Sequence, residues 1–315
     1  MEFKHTSVLL HETIDNLRPK DGGLYVDATF GGGGHARYLL SRIEQGTLIG
    51  FDQDEYAIRS AESNFAALLQ ADSQPRLQLV HDNFSHLQEN LVKLGYTNGI
   101  SGIYYDLGVS SPQFDQAGRG FSYRFNARLD MRMDQSQTLD AYQLVNNSSQ
   151  KELANILYKY GDEKFSRQIA RKIVERRRIE PITTTFELVD IIKEAIPAFA
   201  RRTGGHPAKK TFQALRVAVN NELDVLRESL EEAIKLLQPG GRISVITFQS
   251  DEDKIVKKIF KKYSEVEVPR GMPMIPDNMK PTLQLVNRKP IVASSEELDN
   301  NNRSHSAKLR VAEKL

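Results

Sequence analysis

The 315-residue chain contains no cysteine. That excludes disulfides, a thiol nucleophile and any zinc or iron–sulfur centre held by Cys. It fits a reducing compartment. No run of about 18 apolar residues occurs, so no membrane-spanning helix is expected. Met1-Glu2-Phe3-Lys4-His5 leads into no apolar signal core. The expectation is a cytoplasmic protein with no membrane partner. Excess charge is scarce too. A net charge of +2 excludes a uniformly basic nucleic-acid coat.

The charge that is present is segregated. Residues 1–115 hold eight basic and fifteen acidic residues, a net −7. Residues 116–215 hold eighteen and eleven, a net +7. Residues 216–315 hold seventeen and fifteen, a net +2. A basic middle of this kind reads as a separate functional unit. The hydrophobic pattern divides the chain at the same places. Short apolar runs at Leu24–Ala28, Thr47–Phe51, Leu77–Val80 and Ile103–Tyr105 read as strands alternating with helical stretches, which predicts a parallel sheet covered on both faces. From 116 to 215 the pattern is helical only. The α/β pattern returns with a long helix over Phe212–Leu237, a strand at Ile243–Phe248 and a helix behind Ser250. Two short alternating runs follow, Leu283–Val286 and Leu309–Val311. The predicted fold is a Rossmann-like α/β sheet, 1–115 with 216–315, interrupted after its fourth strand by a helical insertion, 116–215.

The first predicted strand runs into Gly31-Gly32-Gly33-Gly34. Glycines allow a tight turn and a close backbone approach to a ligand. Asp52 ends the next strand, where an acid can take both ribose hydroxyls of an adenosine. A nicotinamide dinucleotide and S-adenosyl-L-methionine both fit so far. The second is favoured, because the loop lacks the G-x-G-x-x-G spacing of dinucleotide binders. Asp82-Asn83-Phe84 also offers a polar group for the adenine amine and an aromatic cover for its ring. Asp106 ends the fourth strand, beyond which such sheets bind ligands and do chemistry. Ser110-Ser111-Pro112-Gln113 follows, similar to the short Ser/Asn/Asp–Pro segment of amino-methyltransferases. The exocyclic amine of cytosine or adenine has its lone pair delocalised into the ring. Acceptors on its protons draw it towards a nucleophilic shape, and positioning does much of the rest. No metal is called for.

Taken together the motifs resemble the bacterial small-subunit (16S) ribosomal RNA cytosine-N4 methyltransferase family. They are His5-Thr6-Ser7-Val8-Leu9-Leu10, the glycine loop through His35, Asp106 to Gln113, Arg119-Gly120-Phe121-Ser122-Tyr123, Leu129 to Asp134, His206-Pro207-Ala208, Thr211 to Arg216 and Ser306 to Arg310. The resemblance implies a class I methyltransferase using S-adenosyl-L-methionine on N4 of a decoding-centre cytosine within the small subunit. Its cofactor contacts fall on Gly33, Gly34, His35, Asp52, Phe84, Asp106 and Gln113. Asp106, Ser111 and Pro112 are the candidate catalytic residues. Arg119, Arg124, Arg128 and Arg132, interleaved with Phe121, Tyr123 and Phe125, together with His206 and Lys209, are the candidate RNA contacts. Gln249 stands where the family usually has His, and His305 where it often has Arg. The alternatives are a non-catalytic ribosome-assembly factor on the same fold and, behind it, a nicotinamide-dependent oxidoreductase. The sequence leaves a homodimer open.

Overall fold

The computed structural model describes residues 7–69, 76–202, 205–265 and 280–315. His5 and Thr6 of the first motif, and Gly204 of the basic loop, lie outside them, as does the side chain of Ser111. Seven strands form one sheet: β1 Leu24–Asp27, β2 Thr47–Asp52, β3 Leu77–His81, β4 Ile100–Asp106, β5 Leu237–Thr247, β6 Leu283–Leu285 and β7 Lys308–Lys314. Their order is β3-β2-β1-β4-β5-β7-β6. The first five run parallel, and β7 is antiparallel to both neighbours. This is the mixed α/β sheet that the sequence pattern predicts.

Side-chain alternation assigns the two faces. Val26, Ile49, Ile103 and Tyr105 pack with Leu87, Leu230 and Val256 of the helices on one side. Tyr25, Leu48 and Tyr104 pack with Ile14, Leu17 and Leu39 on the other. Burial on both faces is why these strands read as nearly continuous apolar runs. The order reverses between β1 and β4, the crevice where open α/β sheets bind ligands. β1, β2 and β4 all end there in aspartate: Asp27, Asp52 and Asp106.

The chain divides into two units, Met1–Gly108 with Leu223–Leu315 and Val109–Glu222. The helical unit is thus wider than the expected 116–215. Its core explains both edges. Val109 packs against a cluster that also buries Phe212, Leu215 and Val219 with Leu129, Leu153 and Leu157. Its helices begin as local sequence dictates. Ser149 with Glu152 and Thr184 with Glu187 form reciprocal capping boxes.

The single long helix expected over Phe212–Leu237 is two, Lys209–Val219 and Glu222–Leu236. Asn221 between them takes a left-handed φ of 48°, a conformation asparagine tolerates better than most residues. Asn220 is buried. Its Nδ2 donates to the Met131 and Arg216 carbonyls at 2.8 and 2.9 Å, and its Oδ1 accepts the Met133 amide at 2.8 Å. Asn220→Ala would orphan the buried Met131 and Met133 groups. It is expected to cost about 1–3 kcal/mol for each unsatisfied group, read as a lower denaturant midpoint at unchanged m-value. The expected Ser250 cap is likewise displaced: Gln249 is the N-cap, and Glu252 Oε2 accepts the Phe248 and Gln249 amides. Asn83 caps the turn at Phe84–His86, its Oδ1 accepting the Ser85 amide at 3.0 Å.

Candidate active site

The glycine loop is built from both of its ends. Thr29 Oγ1 accepts the Asp106 amide at 2.7 Å, and the Gly31 amide donates to Asp52 Oδ2 at 2.8 Å. Gly33 has φ +71° and precedes the helix Gly34–Ser41. A Cβ at Gly33 would lie 2.6 Å from the Phe65 ring, and one at Gly34 would overlap Ser7 Oγ. A Cβ at Gly32 would meet nothing within 4 Å. The loop is therefore pinned at its flanks with backbone open in the middle, a cradle that a polar ligand can approach.

Three carboxyl groups surround it. Burial pushes Asp106 up to about 7, the nearby Asp27 charge adds to this, and Arg303 opposes it. Burial pushes Asp52 up to about 6, although it accepts the Asp54 and Gly31 amides. Burial pushes Asp27 up to about 7, against the hydrogen bonds from Tyr104 Oη at 2.7 Å and the Thr29 amide at 3.0 Å. Desolvated acids of this kind favour a cationic ligand. Asp106 has the more telling geometry. Its Oδ1 is buried with no hydrogen-bond partner. Its Oδ2 lies 3.8 Å from His35 Nδ1. His35 is itself buried and donates from Nε2 to the Val8 carbonyl at 3.1 Å.

Asp27 and Tyr104 escaped the sequence reading. The signal was available, since Asp27 ends its strand as Asp52 and Asp106 do. Its high carboxyl value has a checkable consequence. The folded state holds the Asp27 proton up to about pH 7, whereas the unfolded chain releases it near 3.8. Stability from this group therefore falls as pH rises through that window and is constant above it. Asp27→Asn lacks the penalty. The melting temperature of the variant minus that of the wild type is expected to grow from pH 4 to 7 and then level off. A flat difference would mean that Asp27 does not hold this proton.

S-adenosyl-L-methionine suits these residues. The unpartnered Asp106 Oδ1 can accept from an ammonium or amine. Each Asp52 oxygen keeps a lone pair for a ribose hydroxyl. Phe84 is half-buried and edge-on to Tyr105 at 5.6 Å. Asp82 is committed locally. Partial burial raises its carboxyl, but bonds from His86, Asn90 and the Asn83 amide hold it below the usual range.

The helical unit holds the remaining candidates. Gln113 is buried, and its Oε1 accepts the Ser110 amide at 3.0 Å. With Pro112 in the first turn of Ser111–Asp115, this fixes the Ser110-Ser111-Pro112 turn. Arg119 and Arg132, expected as RNA contacts, are engaged within their own loop. Arg119 is buried, and its Nη2 donates to the Arg132 and Met133 carbonyls. Arg132 grips Asp130 through two bonds of 2.8 Å and reaches the Gln135 and Gln137 carbonyls. Both hold the loop together. Arg128 is half exposed and pairs with Asp140 at 2.7 Å. Arg124, His206 and Lys209 are exposed, and His206 stacks on Tyr123. No group of three or more metal-ligating side chains occurs among the described residues.

Residues 2–315 match the MraW methylase family. Two curated relatives, each named Ribosomal RNA small subunit methyltransferase H, are 84% identical over all 315 residues and the whole of their own lengths; they come from Lactobacillus acidophilus and Lactobacillus helveticus. A solved rRNA methylase from Streptococcus thermophilus aligns over 99% of each chain at 11% identity, with a TM-score of 0.43. With residues 2–315 matched and relatives 84% identical over their whole length, the chain belongs to the MraW methylase family, whose methyl donor is S-adenosyl-L-methionine.

Proposed function

We propose that the protein transfers a methyl group from S-adenosyl-L-methionine to small-subunit ribosomal RNA, on N4 of a cytosine in the decoding centre. The observation that carries the chemistry is Asp106 Oδ1, a buried acceptor without a partner at the end of β4. The names of the relatives support the RNA and the subunit. The choice of cytosine N4 rests on the family resemblance.

When bound, the cofactor supplies an electrophilic methyl on a sulfonium. Gly33, Gly34 and His35 would hold it by their loop, Asp52 by the ribose, Phe84 by the adenine, and Asp106 and Gln113 by polar contacts. The target amine must be made nucleophilic. In this reading acceptors on the Ser111-Pro112 turn would take hydrogen bonds from its protons, and the bond from the Ser110 amide to Gln113 Oε1 holds the start of that turn. Methyl transfer to N4 would release one proton from that nitrogen. Asp106, pushed up to about 7, is matched to receive it near neutral pH. Val109–Glu222 is the RNA-recognising part in this reading, and the enzyme works in the cytoplasm.

The test is to incubate the protein with labelled cofactor and small subunits from cells lacking the modification. Label in 16S RNA is expected. Tight subunit binding with no label would favour the assembly-factor alternative.

A further inference from the structure

Within Val109–Glu222, the rings of Tyr123 and His206 lie parallel, with centroids 4.4 Å apart and planes 6° apart. Phe212 packs edge-on against Tyr123 at 5.8 Å and is buried, so Tyr123 is braced from the core. Tyr123 is half-buried and His206 exposed. The stack thus begins in the core and ends on a ring that reaches solvent. An exposed imidazole usually swings freely. This one is held by its stacking and by the Ala208 amide, which donates to His206 Nδ1 at 3.2 Å. Accepting that bond leaves Nδ1 unprotonated in this geometry.

The charges facing the ring are cationic. Burial and then Lys193 and Arg124 hold the His206 imidazole below its usual value. Lys193 also contacts Asp190 at 3.6 Å, and Lys210 reaches the Asp162 carbonyl. Lys209 is exposed at the start of the next helix. A planar ring, held in place and flanked by cations, suits a ligand that is aromatic and anionic together. Nucleobases on a phosphate backbone have that chemistry, because bases stack on aromatic faces while phosphates meet Lys and Arg.

We propose that His206, backed by Tyr123, is the end plate of a stacking platform that receives one unpaired base of the RNA substrate. This rests on the RNA reading above and names where one base of that RNA sits. His206 is a positioning residue here and takes no part in methyl transfer. An acidic protein segment would meet the cations but would not need the plate.

The test uses the intact protein and a short single-stranded RNA carrying the fluorescent base 2-aminopurine. Stacking quenches that base, so quenching on binding is expected. His206→Ala should weaken binding about tenfold, within the range for one stacked base, and abolish the quenching. His206→Phe keeps the plate and loses the ring nitrogens. It should recover binding to within about threefold, and quenching with it. Arg124→Gln should lower the slope of log affinity against log salt by about one. Thermal melts of each variant separate misfolding from loss of the plate. Two results overturn the proposal: unchanged binding and quenching in folded His206→Ala, or failure of folded His206→Phe to recover them. Methyl transfer is scored separately. A platform that binds RNA in a protein that methylates nothing would sink the enzymatic reading alone.

Discussion

Asp106→Ala lowers methyl transfer by roughly 10²–10³-fold, the loss typical of removing one preorganised electrostatic partner at a reacting group. The expectation comes from the position of one atom. Asp106 Oδ1 is buried and accepts no hydrogen bond, an arrangement that costs free energy unless a ligand completes it. The same feature predicts little damage to the fold. Removing a desolvated, unpartnered acid takes away no bond at Oδ1, and Oδ2 gives up only the approach of His35 Nδ1 at 3.8 Å. The variant should therefore melt close to the wild type while transferring poorly. The pH profile sharpens the point. In the free enzyme burial holds the Asp106 proton up to about pH 7. In the proposed mechanism the working form is the carboxylate, so kcat/KM should rise with pH and level off above about 7. The break in kcat should lie lower, since a bound cation stabilises the ionised form. Asp106→Asn should lose both breaks. A variant with wild-type transfer, or an unchanged profile in Asp106→Asn, would remove Asp106 from the mechanism.

Gly33→Ala should weaken cofactor binding by more than tenfold. Two effects coincide at this position. The φ of +71° strains any residue with a Cβ, and the added methyl would sit 2.6 Å from the Phe65 ring and 3.0 Å from Phe30. The strain alone costs roughly 1–2 kcal/mol. The crowding must be relieved by moving the loop, and with it the Gly31 amide that is docked on Asp52. Gly95 is the control. Its φ is +86°, yet a Cβ there would meet nothing within 4 Å. Gly95→Ala should lower stability by a similar strain and leave cofactor affinity alone. Calorimetric titration with S-adenosylhomocysteine reads both. Equal affinity losses in the two variants would mean that the loop's shape is not what holds the ligand.

The parts of this fold governed by short-range pattern were legible before any coordinates. Strands buried on both faces must be apolar, so β1, β2 and β4 stood out, and the aspartates that end β2 and β4 marked where a ligand was expected. The glycine loop was equally plain, since four consecutive glycines have few other uses. The break at Asn220-Asn221 was hidden because asparagine is only mildly unfavourable in a helix. What breaks the helix is tertiary: the Asn220 side chain reaches Met131 and Met133, about ninety positions earlier in the chain. The loop bonds of Arg119 and Arg132 were hidden for a related reason. A sequence displays charge but not the carbonyls that consume it, and here those carbonyls belong to the loop itself. Gln113 shows one residue read at two levels. Its spacing from Ser110 is that of a capping box, and the structure uses it so, while the resemblance places it at the cofactor. The Gln249 departure also acquires a local reason, because that residue caps the helix Ser250–Ser264.

The most direct test of the central claim is mass-spectrometric mapping of 16S RNA nucleosides after reaction of the protein with unmodified small subunits and S-adenosyl-L-methionine. One added methyl is predicted, on the exocyclic nitrogen of a single decoding-centre cytidine, and it should form roughly 10²–10³-fold more slowly with Asp106→Ala. A methyl found on adenine N6, on a ribose or on a ring carbon, or on no nucleoside at all, would contradict it.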